Sequence, residues 1–246
     1  MNNMQLGKGS LRLHVVIDRE SFREDLIPVH GLSLLLEIEC QGALLKVLFG
    51  LGPSYSALTN NLTNLGYSLS DVDVVVLPMN SKALIGSLKE AVKDLLNIMI
   101  IASPNVAIPS SLLDNTVRVA SSVPLTSCSL VLPPLGSRGE LILAINTKQG
   151  LVLIVPCSHV GLSSIIRHVV NRLKVRSIYG IIGGLHLSVY DVLTFKELET
   201  LIDTFNIKII IPLYCTGIKA RDKVLKLLEE SYIYSPELGC GLEYRL

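Results

Sequence analysis

G-L-V-L-I-V-P-C-S-H-V-G, residues Gly150–Gly161, runs straight into L-S-S-I-I-R-H-V-V-N-R-L, Leu162–Leu173. Leu151–Val155 is an unbroken apolar run too short for a helix and rich in β-branched residues, so it reads as a buried strand. Leu141–Asn146 precedes it as the other arm of a hairpin turning at Lys148-Gln149-Gly150. Beyond it, Leu162, Ile165, Ile166, Val169, Val170 and Leu173 recur in helical register. The polar segment Cys157–Gly161 therefore lies between a strand end and a helix start, where α/β proteins carry their chemistry. Working outward, the same punctuation recurs. Pro78–Leu84 follows the apolar run Val72–Leu77, Gly183–Leu187 follows Ser177–Ile182, and Tyr214–Gly217 follows Ile207–Ile211.

The remaining elements fit an α/β chain. Leu11, Leu13, Val15 and Ile17 alternate with period two, as do parts of Leu32–Glu39 and Ala43–Phe49, which predicts strands of an antiparallel or mixed sheet with one face wet. Pro53-Ser54 opens a helix bearing Leu58, Leu62 and Leu65, stopped by Gly66. Leu84, Leu88, Val92 and Leu95 predict a helix of about four turns. Thr194 and Glu197 form a capping box before a helix bearing Leu198, Leu201 and Phe205. Ile218–Glu230 is the last helix, with Asp222 and Lys226 at a supportive spacing. Residues 97–140, with Pro104, Pro109, Pro124, Pro133 and Pro134, read as an irregular excursion. The two halves repeat one pattern of hairpin, helix, buried strand and helix.

Composition narrows the classes. The chain has 246 residues, 22 Lys+Arg against 21 Asp+Glu, and 49% apolar residues. That content excludes disorder, and the charge balance lacks the basic excess of a dedicated nucleic-acid binder. Mean hydropathy is +0.50, yet no run approaches the roughly 18 apolar residues of a spanning helix. Met1–Arg19 lacks the pattern of a signal peptide. Five scattered cysteines (Cys40, Cys128, Cys157, Cys215, Cys240) form no C-x-x-C pair, which points to a reducing cytoplasm rather than a disulfide framework.

Six segments together resemble the metallo-β-lactamase superfamily, and within it the branch typified by 7,8-dihydropterin-6-methyl-4-(β-D-ribofuranosyl)aminobenzene-5′-phosphate synthase. They are H-G-L-S-L-L-L-E (His30–Glu37), L-F-G-L-G-P-S (Leu48–Ser54), N-N-L-T-N-L-G (Asn60–Gly66), Gly150–Gly161, G-G-L-H-L (Gly183–Leu187) and Y-C-T-G (Tyr214–Gly217). The resemblance implies a four-layer αββα sandwich of two similar halves, a single domain over residues 1–246.

The same resemblance implies a His-x-His-x-Asp-His loop that serves a pair of zinc ions, and here the chain departs from it. Laid on without gaps, Met79 and Ser81 stand at the two histidines, Ala83 at the aspartate and Leu84 at the third histidine. Ala and Leu have no donor atom, a thioether is soft and a hydroxyl weak. Gly50 replaces the aspartate of L-F-D-T-G, and Tyr214 the histidine of H-C-T-G. Only His159 and His186 keep family metal-ligand places.

Plainer roles exist for each: His159 as a cap or carbonyl donor, His186 as a satisfied core imidazole, His30 as an anchor at a strand entry, His14 and His168 as ordinary sheet-face and helix-face residues. Cys157 and Cys215 with the two histidines make a mononuclear Cys₂His₂ site conceivable. Gly50-x-Gly52 lacks the third glycine and the lysine of a phosphate loop, and Arg167, His168, Arg172, Lys174 and Arg176 read as a solvated helix side. The expectation is a degenerate, non-catalytic binding or scaffolding module for a small molecule or protein. No cofactor is expected, or zinc at no more than one ion, and neither membrane nor nucleic acid. The alternative is a metal-dependent hydrolase or dihydropterin-synthase-like enzyme with a reduced one-metal site around His159 and His186.

Overall fold

A computed structural model describes residues 6–188, 190, 192–231 and 236–246. The strands are β1 (Ser10–Ile17), β2 (Ser33–Cys40), β3 (Ala43–Phe49), β4 (Val74–Leu77), β5 (Met99–Ala102), β6 (Thr116–Arg118), β7 (Val123–Thr126), β8 (Ser129–Val131), β9 (Leu143–Asn146), β10 (Leu151–Val155), β11 (Gly180–Gly184), β12 (Ile209–Leu213) and β13 (Glu243–Arg245). The helices are α1 (Tyr55–Asn64), α2 (Lys82–Ile85), α3 (Leu162–Leu173), α4 (Val192–Phe205) and α5 (Ile218–Glu230).

Two mixed sheets result, one ordered β13-β1-β2-β3-β4-β5-β6 and the other β12-β11-β10-β9-β8-β7. Side-chain alternation makes them layers. Along β2, Leu34, Leu36 and Ile38 enter a core shared with Leu143, Val152, Ile154 and Ile211 of the second sheet. Leu35, between them, faces the other way and packs with Leu58 and Leu62 of α1. On the outer face of the second sheet, Leu151, Leu153 and Val155 pack with Ile165, Leu198 and Val224 of α3, α4 and α5. Three cores between four layers give the expected αββα sandwich. Among the described residues, no helix is long and apolar enough to cross a membrane.

Three local expectations differ from what is found. The four-turn helix through Leu84–Leu95 is instead the single turn α2 followed by two 3₁₀ turns, Gly86–Lys89 and Ala91–Lys93. Tertiary contacts divert it: Ser87 donates its backbone N–H and its hydroxyl to the Gly52 carbonyl, both at 3.1 Å. A Cβ on Gly86 would stand 2.8 Å from Pro53 Cα, so only glycine lets these backbones meet. Thr194 lies inside α4, which begins at Val192, and does not cap it. Glu197 instead accepts a hydrogen bond from Ser163 of α3.

The segment at 97–140 carries four strands, two added to each sheet. Its prolines hid them. Pro124 occupies the edge strand β7, where a missing N–H costs no ladder bond on the open side.

Candidate metal centre

Strands β10, β11 and β12 are parallel and in register, so the loops that follow them emerge at one end of the sheet. Glycines let those ends close up: a Cβ on Gly183 would stand 2.0 Å from the Val155 carbonyl oxygen, and one on Gly184 2.6 Å from Cys215 Sγ. The result brings Cys157, His159 and His186 together, with one candidate ligand atom from each within 4.8 Å of the others. Cys157 Sγ lies 3.4 Å from His186 Nδ1. The two imidazole centroids are 4.5 Å apart. Ser158 and His186 both hold left-handed backbone, at φ 56° and 52°. Ser158 is held there by its hydroxyl, which donates to the Gly184 carbonyl at 2.8 Å.

His159 is fixed from behind. Glu140, fully buried, accepts from His159 Nδ1 at 2.5 Å and from its backbone N–H at 2.9 Å, both through Oε1. Oε2 of the same carboxylate is buried with no hydrogen-bond partner among the described residues. Hydrogen bonding with Cys215, assisted by Tyr214 and His186, draws the Cys157 thiol down to about 7 against the opposing effect of burial. Burial pushes the Cys215 thiol and the Tyr214 hydroxyl up. Cys157 is thus the thiol of the pair available as a thiolate, the form that binds metal. An open cleft of about 540 Å³ adjoins His186 and is lined also by Arg19, Ser188, Cys215 and Lys219.

The loop after β4 buries its two ends, while Asn80 and Lys82 between them are exposed. Met79 is 1% and Leu84 0% exposed, and both belong to the core between the sheets. Leu84 is thus on the inner side as expected, but Leu88 turns into the core beneath α1. The Leu84 carbonyl accepts from Leu51 and Gly52 N–H groups at 2.7 and 3.2 Å. Gly50 has φ 77°, and a Cβ there would lie 2.6 Å from the Leu32 carbonyl oxygen. A side chain at this position would require the backbone to shift. Tyr214, 2% exposed, is packed in the same core.

The donor chemistry decides what fits. A binuclear centre does not: the β4 loop offers no imidazole or carboxylate, and position 50 has no side chain. One borderline-soft ion does, with a thiolate and two imidazoles from the chain and a fourth position left for an outside ligand, a donor set suited to zinc.

Of the residues singled out from sequence, the structure brings His159, His186 and Cys157 together. Cys215 sits beside them, its thiol directed at the Cys157 carbonyl at 3.8 Å rather than into the triad. His186 is exposed, not a core imidazole, because the left-handed turn lifts it out after Leu185. His30 is exposed too, its ring 5.6 Å from that of Tyr214. His14 lies on β1 within 3.1 Å of the Tyr67 hydroxyl, and His168 lies on α3. Sequence reading missed Glu140. Its only signal was a lone carboxylate abutting the apolar run Leu141–Ile145.

The two mixed sheets, their αββα layering and the strand-end loops define the metallo-β-lactamase fold. No family profile matches the chain. It is 24% identical to 7,8-dihydropterin-6-methyl-4-(β-D-ribofuranosyl)-aminobenzene-5′-phosphate synthase of Methanocaldococcus jannaschii, over 93% of this chain and 96% of that one. Among solved structures, it is similar to a metal-dependent hydrolase of the β-lactamase superfamily (TM-score 0.69, 20% identity, 95% of this chain and 98% of the other). It is also similar to the metallo-β-lactamase-fold protein YhfI of Bacillus subtilis (TM-score 0.64, 12% identity, 97% and 100%). The resemblance read from six short segments thus extends over nearly the whole chain.

Proposed function

We propose that this chain is a binding module on the metallo-β-lactamase fold that has given up hydrolytic turnover and holds no more than one metal ion, at Cys157, His159 and His186. The observation that carries this reading is the burial of Met79 and Leu84 where loop ligands would stand. Gly50 supports it, since its backbone leaves no room for a ligand side chain. Without a bound metal, no group remains to lower the pKa of a bound water to ~7 or to polarise an ester or phosphoryl group. The cleft beside His186 is the natural seat for a ligand. Arg19 and Lys219 on its wall, and the relative named as a phosphate-ester synthase, favour an anionic pterin- or nucleotide-like molecule.

Elemental analysis of protein purified without added metal or chelator tests the reading. The expected content is below one zinc per chain, and His159→Ala or His186→Ala removes what is bound. Lactamase, phosphodiesterase and ribonuclease assays are expected to match a heat-inactivated control, with or without zinc or manganese. Stoichiometric zinc that is lost in His159→Ala or His186→Ala would overturn the expected metal content and favour the second reading, and two ions per chain would overturn the proposal altogether.

The convergence of Cys157, His159 and His186 favours a second reading, an enzyme with a reduced one-metal site. A single zinc there would supply Lewis acidity and an activated water. A reproducible metal-stimulated rate that vanishes in His159→Ala would put this reading first.

A further inference from the structure

We infer that Glu140 is a positioning residue that fixes the ring orientation and tautomer of His159, so that Nε2 is the atom His159 presents to a metal ion. The inference rests on the one-ion site proposed above. A carboxylate accepts hydrogen bonds and donates none when ionised, so its contact with Nδ1 requires the hydrogen to sit on Nδ1. The contact is short, 2.5 Å from Nδ1 to Oε1. A neutral imidazole held this way keeps its lone pair on Nε2. The same Oε1 accepts the His159 backbone N–H at 2.9 Å, which locks ring and backbone to one oxygen.

The carboxylate itself is held by the fold. Leu135 and Glu140 exchange backbone hydrogen bonds of 2.9 Å each across a turn whose Gly136 and Gly139 have φ 65°. The Gly139 carbonyl accepts from Ser103 Oγ at 2.7 Å, and the Leu141 N–H donates to the Pro78 carbonyl at 2.9 Å. Glu140 is therefore pinned to loops of the first sheet while its side chain reaches the loop after β10 in the second. Such support behind a histidine is what a preorganised metal site needs.

A purely structural anchor explains less. Tying down one backbone N–H needs only a neutral acceptor, whereas a buried carboxylate with an unpartnered second oxygen is costly. Both hydrogen bonds that Oε1 accepts come from His159, one from its backbone and one from its ring.

The test uses the full-length chain with Glu140→Gln and Glu140→Ala. Gln keeps an oxygen acceptor but loses the charge, and Ala loses both. In metal-free protein at about pH 8, above the imidazole range, long-range proton–nitrogen spectra should show the Nδ1–H tautomer of His159 in the unchanged chain and in Gln, and a shift toward Nε2–H in Ala. Cobalt affinity, read from thiolate-to-metal absorption, should fall about tenfold in Gln and about a hundredfold in Ala. An Nε2–H tautomer in the unchanged chain, or variants that bind cobalt as tightly as it does, would overturn the inference. If Ala does not fold, Gln still gives the affinity ratio. If the unchanged chain takes up no cobalt, the one-ion reading fails, and the tautomer alone decides the role of Glu140.

Discussion

Replacing Arg221 by Ala will lower the free energy of unfolding by about 3–5 kcal/mol, the loss expected when one partner of a buried ion pair is removed. Arg221 is 1% exposed, in the first turn of α5. Its guanidinium grips Asp18 with two bonds of 2.8 and 2.9 Å and reaches Glu20 at 2.9 Å. Asp18, fully buried just past β1, also accepts the Tyr214 N–H at 2.6 Å. One carboxylate therefore joins the first sheet, the end of β12 and α5. Without the guanidinium that carboxylate stays buried with its charge uncompensated. Urea titration should show a lower midpoint with an unchanged slope. The double variant Asp18→Leu with Arg221→Met should recover much of the loss, because both charges leave together. A loss under about 1 kcal/mol in Arg221→Ala would contradict this account of the contact.

Restoring a histidine to the β4 loop will not restore a metal site. Leu84→His is expected to destabilise the chain by about 3–5 kcal/mol, combining lost apolar burial with the cost of an unpartnered polar ring in the core. Leu84 has no exposure and packs between the sheets. Zinc content should not rise, because Ala83 and Gly50 still offer no donor. Thermal unfolding together with elemental analysis checks both halves. A variant as stable as its parent that gains an ion would show that the pocket is open after all.

Patterns of short range were legible from the sequence. Period-two alternation marked β2 as a strand but left its second face to water, whereas Leu35 on that face is buried beneath α1, a covering that only the fold supplies. Ser54 and Gly66 bounded α1 because caps are local chemistry: Ser54 Oγ accepts from the Ala57 N–H at 3.3 Å, and Gly66 takes φ 85°. The segment after Leu84 was misread because its apolar spacing is helical while its geometry is dictated by Gly52 and Pro53, over thirty positions upstream. Glu140 was invisible for the same reason. Its role exists only where a turn on one loop meets a histidine on another. The pairing of His159 with His186, and Cys157 and Cys215 beside them, came from the resemblance; that Cys157 and not Cys215 faces the two imidazoles was visible only in space.

The left-handed backbone at His186 has a further consequence. An L-residue with a Cβ gives up roughly 1–2 kcal/mol in that conformation, which glycine would adopt freely. His186→Gly is therefore a relaxation for the fold, whereas the imidazole at this position is kept against a conformational penalty. Ser158 on the neighbouring loop holds the same left-handed backbone, so both loops that bring the cluster together adopt a conformation that glycine would take more cheaply.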